Sequence, residues 1–449
     1  MRIPTLLSTA ALTAAMLAAA ETDRLHIPIQ QFQLDNGLRV IVSEDHSAPT
    51  YAISVTYNVG SRDERQGHTG FAHLFEHMMF QGSQNVGKGE HFILVLNNGG
   101  NMTGTTNQDR TNYFEAFPSN QLDLGLYLEA DRMRSLAVNE SNLVNQRQTV
   151  QEEKRITEDN APYGQAHDTL NELAYGNFAN AHSVLGSMDD LNAASVKDVQ
   201  EFFRTYYAPN NAVLVLVGDV DANAALARVK KYFGDIPAQP APPVPDLSEG
   251  PPTGEKRKTL EDGFAQLTRI DMGFRNVPGD TPDDWALNVL AEILGDGLSS
   301  RLYQSLVKEK ELAVSVFSYE DDRRGPSLFY VRATVRPGKN VKDVETALLA
   351  EIDRMKTEPV ADWELRKAQL LFKRGNVQQL QSTLERAVEI GEFAVFYNDP
   401  DLINTAQEKI EKVTKDDIQR VARKYLTADN RAVVVSIPKP KTAAAGGAR

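Results

Sequence analysis

His73, Glu76 and His77 stand in one short run, His73-Leu74-Phe75-Glu76-His77. On a helix, residues i and i+4 lie on one face, so the two imidazoles can grip a single ion. Glu76 projects beside them and can reach a water on that ion. The order inverts the His-Glu-x-x-His run of zinc hydrolases. The plainer alternative, two histidines on a solvated helix face, fits poorly with the apolar residues around them, because buried imidazoles need partners. A catalytic zinc also needs a third protein ligand and an open position for water. The stretch Gln146-Arg147-Gln148-Thr149-Val150-Gln151-Glu152-Glu153-Lys154-Arg155 offers two carboxylates. Positions 146, 149/150 and 153 share a helix face, and Glu152 is rotated by about 100° from it. Either carboxylate can ligate on these grounds. Without the histidine run, both would read as an exposed helix face paired with residues such as Arg155.

Composition narrows the chemistry to these residue types. The chain has 449 residues, no cysteine and 8 histidines, none of them beyond His182. Thiolate zinc sites, iron–sulfur clusters, disulfides and thiol catalysis are therefore excluded. Any metal must use His and carboxylates, and the first half must supply the imidazoles. A hydrophobic fraction of 41% supports sizeable cores. The length implies more than one domain or a duplicated one. A net charge of −13 argues against nonspecific nucleic-acid binding.

The elements that must position these residues can be sketched. Residues 1–20, a single early Arg2 followed by an Ala/Leu-rich run ending Ala18-Ala19-Ala20, read as a secretory signal peptide. That predicts a periplasmic or secreted protein with no integral membrane segment in the mature chain. Residues 236–256 hold seven prolines and read as a stiff linker. It separates a catalytic domain at 21–235 from a second domain at 257–437, with a flexible tail at 438–449. The two halves echo each other: Asp198, Gln200, Tyr206 and Asn211 recur at one constant offset as Asp417, Gln419, Tyr425 and Asn430. Strand signals at Leu38–Val42 and Tyr51–Val59 precede helical periods near 68–80, 119–135, 141–158 and 165–175. The expected class is α+β: two homologous domains, each a mostly antiparallel or mixed sheet with helices packed on one face, joined by the Pro-rich linker.

The chain resembles the M16 (pitrilysin-type) zinc metallopeptidase family, in particular its subfamily related to mitochondrial processing peptidase. The resemblance is carried by Gly60-Ser61-Arg62-Asp63-Glu64 through Phe80-Gln81-Gly82-Ser83, by Gly99-Gly100 followed by Thr106, Asp109, Thr111 and Tyr113, by His182–Ser187, and by Tyr206-Tyr207-Ala208-Pro209-Asn210-Asn211. It implies His73, His77 and Glu153 as ligands of one Zn²⁺ per chain. Glu76 is then the general base toward a metal-activated water in the hydrolysis of unfolded peptides or short polypeptides. It also implies that substrate adds as a strand along Thr103-Gly104-Thr105, and that this chain is one half of a two-subunit chamber.

Three departures from the family pattern stand out. Gln146 occupies the place of an acidic residue that orients a ligand histidine, which predicts weakened zinc binding. Thr103-Gly104 replace the family's Asn-Ala. In the second half the family's oxyanion-stabilising Tyr is Val314 and its Arg position is Val307 or Lys308, while Arg301 and Tyr303 sit at the wrong offset. Val289, Glu292 and Ile293 stand where a duplicated metal motif would fall. The second half thus reads as a copy without metal. The expected partner is a second subunit, and a heterodimer with a paralogue that lacks the metal motif and supplies the Arg/Tyr pair is favoured over a homodimer. Two other roles compete: a noncatalytic structural subunit, or a dedicated precursor-processing peptidase.

Overall fold

The computed structural model describes residues 25–439. The expected signal peptide and the tail from Pro440 lie outside the described residues. The last strand runs to Pro438, and Lys439 N–H donates to Asp262 O, so the ordered chain extends slightly beyond residue 437.

Two sheets organise the chain. The first holds β1 (Gln30–Gln33), β2 (Arg39–Glu44), β3 (Thr50–Tyr57), β4 (Asn101–Thr106), β5 (Thr111–Pro118) and β6 (Ala212–Gly218), in the order β1-β2-β6-β3-β5-β4. The second holds β7 (Lys256–Asp262), β8 (Arg269–Arg275), β9 (Ala313–Asp321), β10 (Leu328–Val335) and β11 (Arg431–Pro438), in the order β7-β11-β8-β10-β9. With β1 set aside, the orders match strand for strand. The parallel pair β2–β6 corresponds to the parallel pair β7–β11, and every other neighbour is antiparallel.

The helices that matter for the site are α1 (Phe71–Met78), α2 (Glu90–Asn97), α3 (Leu122–Ser135), α4 (Glu140–Lys154), α5 (Gly164–Ala174) and α6 (Val196–Tyr206) in the first half. In the second they are α7 (Pro282–Leu294), α8 (Asp362–Gln379), α9 (Thr383–Phe396) and α10 (Lys415–Tyr425). The repeat is visible in its hydrogen bonds. Ser195 and Asp198 form a capping box on α6, as Thr414 and Asp417 do on α10. Asn211 Nδ2 donates to Tyr206 O and Asn58 O (2.8 and 3.1 Å), and Asn430 Nδ2 donates to Tyr425 O and Arg275 O (2.8 and 2.6 Å). Of the residues shared by the two halves, the Asp, Tyr and Asn positions close this helix–turn–strand joint, while Gln200 donates to Val138 O instead.

Each sheet packs its own half's helices on one face. Val40, Val42, Ile53, Val55, Leu214 and Leu216 meet α1, α2, α3, α4 and α6 in one core, and the second sheet meets α7, α8 and α10 in another. The opposite faces are covered by an exchange between halves. Helix α9 of the second half lies on the first sheet, where Ile390, Ala387 and Ala394 meet Ile41, Ala52, Val213, Val215 and Val217. Helix α5 of the first half lies on the second sheet, where Ala166 and Leu170 meet Leu328, Tyr330, Ala432 and Val434. The first residues of α5 and α9, Gly164 and Thr383, are separated by the offset that relates Asp198 to Asp417, so the exchange is reciprocal. Burial on both faces explains why β6 reads Ala-Val-Leu-Val-Leu-Val without polar alternation.

Residues 237–255 carry no helix or strand, and they are tied down along their course. Glu249 accepts from the N–H groups of Gly176 and Asn177 and from Asn180 Nδ2, and it pairs with Arg275 (2.9 Å), so the linker bridges the halves as a strap.

Candidate metal and peptide site

Helix α1 carries both histidines and Glu76, and its entry is fixed by buried polar groups. The Glu64 carboxylate accepts the N–H of Gly70 (2.9 Å) and of Ala72 (2.8 Å), with His182 Nε2 at 3.0 Å. A carboxylate at a helix N-terminus satisfies free N–H groups and opposes the helix dipole. Thr69 donates its N–H and hydroxyl to Asp190 Oδ2 (3.0 and 2.6 Å). Gly70 has φ 84° and Gly186 has φ 70°. A Cβ on Gly186 would lie 2.4 Å from Gly70 N, so the His182–Ser187 loop closes on the helix start with no room for a side chain. These contacts give a structural reason for the Gly60–Glu64 and His182–Ser187 motifs.

Helix α4 packs against α1 and brings Glu153 to the histidines. His77 Nε2 lies 3.3 Å from Glu153 Oε2, and His73 Nε2 lies 3.6 Å from Glu153 Oε1. A tetrahedral zinc with bonds of about 2.0–2.1 Å has ligand–ligand edges of about 3.4 Å. The donor set and its spacing therefore fit one such ion, with the fourth corner left to water or substrate. Glu152 points away, with its side chain 61% exposed and paired to Arg155 at 3.1 Å.

Electrostatics favour the metal-binding form at His73 and Glu153, and the protonated ring at His77. Burial lowers the His73 pKa to about 4, aided by His77 and opposed by Glu153, so its ring stays neutral with a free lone pair. For His77 burial is outweighed by the Glu153 hydrogen bond and the Glu76 and Glu153 charges, and its pKa rises. The same hydrogen bond holds Glu153 below the usual carboxylate range. Burial raises the Glu76 pKa, against a hydrogen bond from Thr106.

Gln146 is buried on α4 close enough to His77 to help raise its pKa, and its Nε2 donates to Asn145 Oδ1 (2.7 Å). His73 Nδ1 is buried with no hydrogen-bond partner among the described residues. Histidines that hold a metal ordinarily donate their second N–H to an acceptor.

β4 is the open edge of the first sheet, directly beside α1. The bond from Asn107 N–H to Arg110 O closes the β4–β5 hairpin. In an antiparallel ladder the inward groups alternate. Thr103 and Thr105 therefore turn their N–H and C=O toward β5, their partners being Phe114 and Asn112. Met102, Gly104 and Thr106 present theirs to the open edge. Of the expected substrate residues Thr103, Gly104 and Thr105, only Gly104 offers a main-chain pair outward. A Cβ there would lie 3.2 Å from Glu76 Cγ and from Tyr113 Cδ1, so the glycine leaves room for the Glu76 side chain. Thr106 donates its hydroxyl to Glu76 Oε2 at 2.7 Å. The sequence gives no separate signal for this role, since a threonine suits any strand.

A second buried set, His91, Glu115 and Glu129, has donor atoms within 4.8 Å of one another. It already holds a cation: Arg132 forks onto Glu129, and His91 Nε2 sits 2.6 Å from Glu115 Oε1. Two acids against Arg132 and an imidazole can balance without metal, and this set serves as an anchor between α2, α3 and β5.

In the second half, Val289 and Ile293, the positions expected to correspond to His73 and His77, are buried in the core at α7. Arg301 forks onto Glu364 of α8 (2.8 and 2.8 Å), and Val314 is exposed on the edge strand β9.

This geometry can be set beside known proteins. The model described as "Insulinase (Peptidase family M16)" matches residues 39–187, and that described as "Peptidase M16 inactive domain" matches residues 193–371. The chain is 30% identical to the zinc protease PqqE of Helicobacter pylori, over 87% of this chain and 89% of that one. The chain belongs to the M16 peptidase family. It is also 26% identical to mitochondrial-processing peptidase subunit beta of Rattus norvegicus, over 92% of this chain and 86% of that one. The crystal structure of a protease from Helicobacter pylori superposes with a TM-score of 0.88 at 28% identity, covering 92% of this M16 chain and all of that one. The relatives' names associate this fold with zinc and proteolysis. The two-domain α/β architecture is theirs as well.

Proposed function

We propose that this M16 chain is a zinc-dependent endopeptidase that hydrolyses unfolded peptides or short polypeptides. The observation that carries this reading is the convergence of His73 Nε2, His77 Nε2 and the Glu153 carboxylate beside Glu76, next to an open strand edge. His73, His77 and Glu153 would hold the zinc, which when bound would acidify a water and polarise a carbonyl. Glu76 is placed to take a proton from a water at the site and pass it to the leaving amine, and Thr106 holds its carboxylate by a hydrogen bond. The extended substrate pairs with the N–H and C=O of Gly104 and its outward-facing neighbours, a main-chain mode that is indifferent to sequence. Glu76→Gln is expected to keep stoichiometric zinc and lose peptide turnover in a quenched-fluorophore assay. Wild-type turnover by that variant would remove Glu76 from the role.

One chain supplies half of a chamber in this reading. Mitochondrial-processing peptidase subunit beta is by its name a subunit of a larger enzyme. With Val314 in place of a tyrosine, and Arg301 held by Glu364, the second subunit is the source of the oxyanion-stabilising pair, which favours a heterodimer with a paralogue lacking the metal motif. The leader at 1–20 directs the chain to the periplasm or outside. No helix of the described residues is long and apolar enough to cross a membrane.

A further inference from the structure

The tip of the β4–β5 hairpin, Asn107–Arg110, is where the two halves grip the edge strand. Asp109 is 2% exposed. It accepts from Arg62 Nη1 (3.0 Å) in the first half and from the N–H of Arg324 (3.0 Å) in the second. Arg62 is itself fully buried, and its Nη2 donates to Pro326 O of the second half (3.1 Å). The N–H groups of Ser61 and Arg62 donate to the carbonyls of Asn107 and Gln108. Arg110 reaches to the other face of the sheet. Its Nε lies 3.2 Å from Glu392 Oε2 on α9, and its Nη1 donates to Thr105 O (3.0 Å) and Thr105 Oγ1 (2.7 Å).

Thr105 lies between the two strand residues that face Glu76. A Cβ at Gly104 would crowd the Glu76 side chain, and Thr106 is hydrogen-bonded to it. An edge strand is held by a ladder on one side only, so its position depends strongly on whatever else fastens it. The planar guanidinium of Arg110, reaching three acceptors at once, is such a fastening, and a lysine could not reproduce it. The anchor at its far end, Glu392, sits on the helix that the metal-free half lends to the first sheet.

We propose that Arg110 is a positioning residue: paired with Glu392 of the second half, it fixes the edge strand that presents Thr106 to the general base and pairs with substrate. The proposal gives the metal-free half a part in the reaction beyond enclosing it. It rests on the peptidase reading above.

The test uses the full chain, with its partner subunit where activity requires one. The variants are Arg110→Ala, Glu392→Ala, the double variant and Glu392→Gln. Steady-state kinetics, zinc content and amide exchange at Thr103 and Thr105 are measured for each. A displacement of the base by a fraction of an ångström predicts a fall in kcat of about tenfold for either single variant, with zinc content unchanged. The double variant loses no more than a single one, because both remove one contact. Glu392→Gln keeps an acceptor for the Arg110 N–H and recovers most of the loss. Exchange at Thr103 and Thr105 speeds up in both alanine variants. Wild-type kcat and exchange in Glu392→Ala, or losses that simply add in the double variant, would overturn the proposal. If the wild-type chain shows no peptidase activity at all, the peptidase reading falls, and the exchange data still decide whether the clasp holds β4.

Discussion

Ile390→Ala tests whether the two halves can be treated as separate folding units. Ile390 lies on α9, belongs to the second half by sequence, and is fully buried against Ile41, Ala52, Val215 and Val217 of the first sheet. The substitution removes three carbons, worth about 2.4 kcal/mol at about 0.8 kcal/mol per buried methylene. The void left, on the order of 70 Å³, adds about 1.7 kcal/mol at about 24 cal/mol per Å³. Partial collapse trims the sum, so a loss of about 3–4 kcal/mol is expected. At a urea m-value of about 3 kcal/mol/M this moves the midpoint down by about 1 M. The assay uses two probes. Trp285 and Trp363 are the only tryptophans and both belong to the second half, while far-UV circular dichroism reports the whole chain. Both signals should shift together, although the lost contacts lie on the first sheet. A tryptophan transition that stays in place while the dichroism splits into two steps would refute the argument that the exchanged helices make one cooperative unit.

Two further outcomes follow from the contacts described above. Gln146→Glu should raise zinc affinity about tenfold or more in a chelator competition, because a carboxylate beside the ligand histidines increases their basicity; an unchanged or lower affinity would mean that Gln146 does not tune the site. Asp45 has its pKa lowered to about 2, first by Ser47 and then by Arg386 of α9, so its contribution to stability is fully present above the ordinary aspartate value and is lost as pH falls through about 4 toward 2. Asp45→Asn should therefore flatten the stability–pH curve across that window in urea unfolding, and a slope equal to the wild type there would remove the contact from the account.

The local chemistry was legible in the sequence because it rests on fixed spacings. An i, i+4 histidine pair with an intervening glutamate brings its own geometry once the segment is a helix, and α1 spans it. The repeat was legible through Asp198/Asp417 and Asn211/Asn430 because those residues make identical main-chain bonds in both halves. The exchange of α5 and α9 was not legible. An amphipathic period states that one face of Thr383–Phe396 is buried, and it carries no information about which sheet does the burying. Thr106 escaped as a partner of Glu76 for a similar reason: the contact joins a strand to a helix 30 residues earlier in the chain. The short α2 went unannounced because Phe92, Ile93 and Leu96 put apolar residues on its exposed side and blur the period.

The reciprocal loan of α5 and α9 also bears on ancestry. Two identical chains that each place one helix on the other's sheet form a swapped dimer with twofold symmetry. Joining such a pair through the strap at 237–255 gives the connectivity seen here. While the copies were encoded by one gene, any substitution at the ligand positions would have struck both sites at once. Once the copies are separate stretches of sequence each half can change alone, and here no histidine lies beyond His182. The helix exchange ties the copy without histidines to the other, since the sheet behind His73 and His77 is covered by its helix.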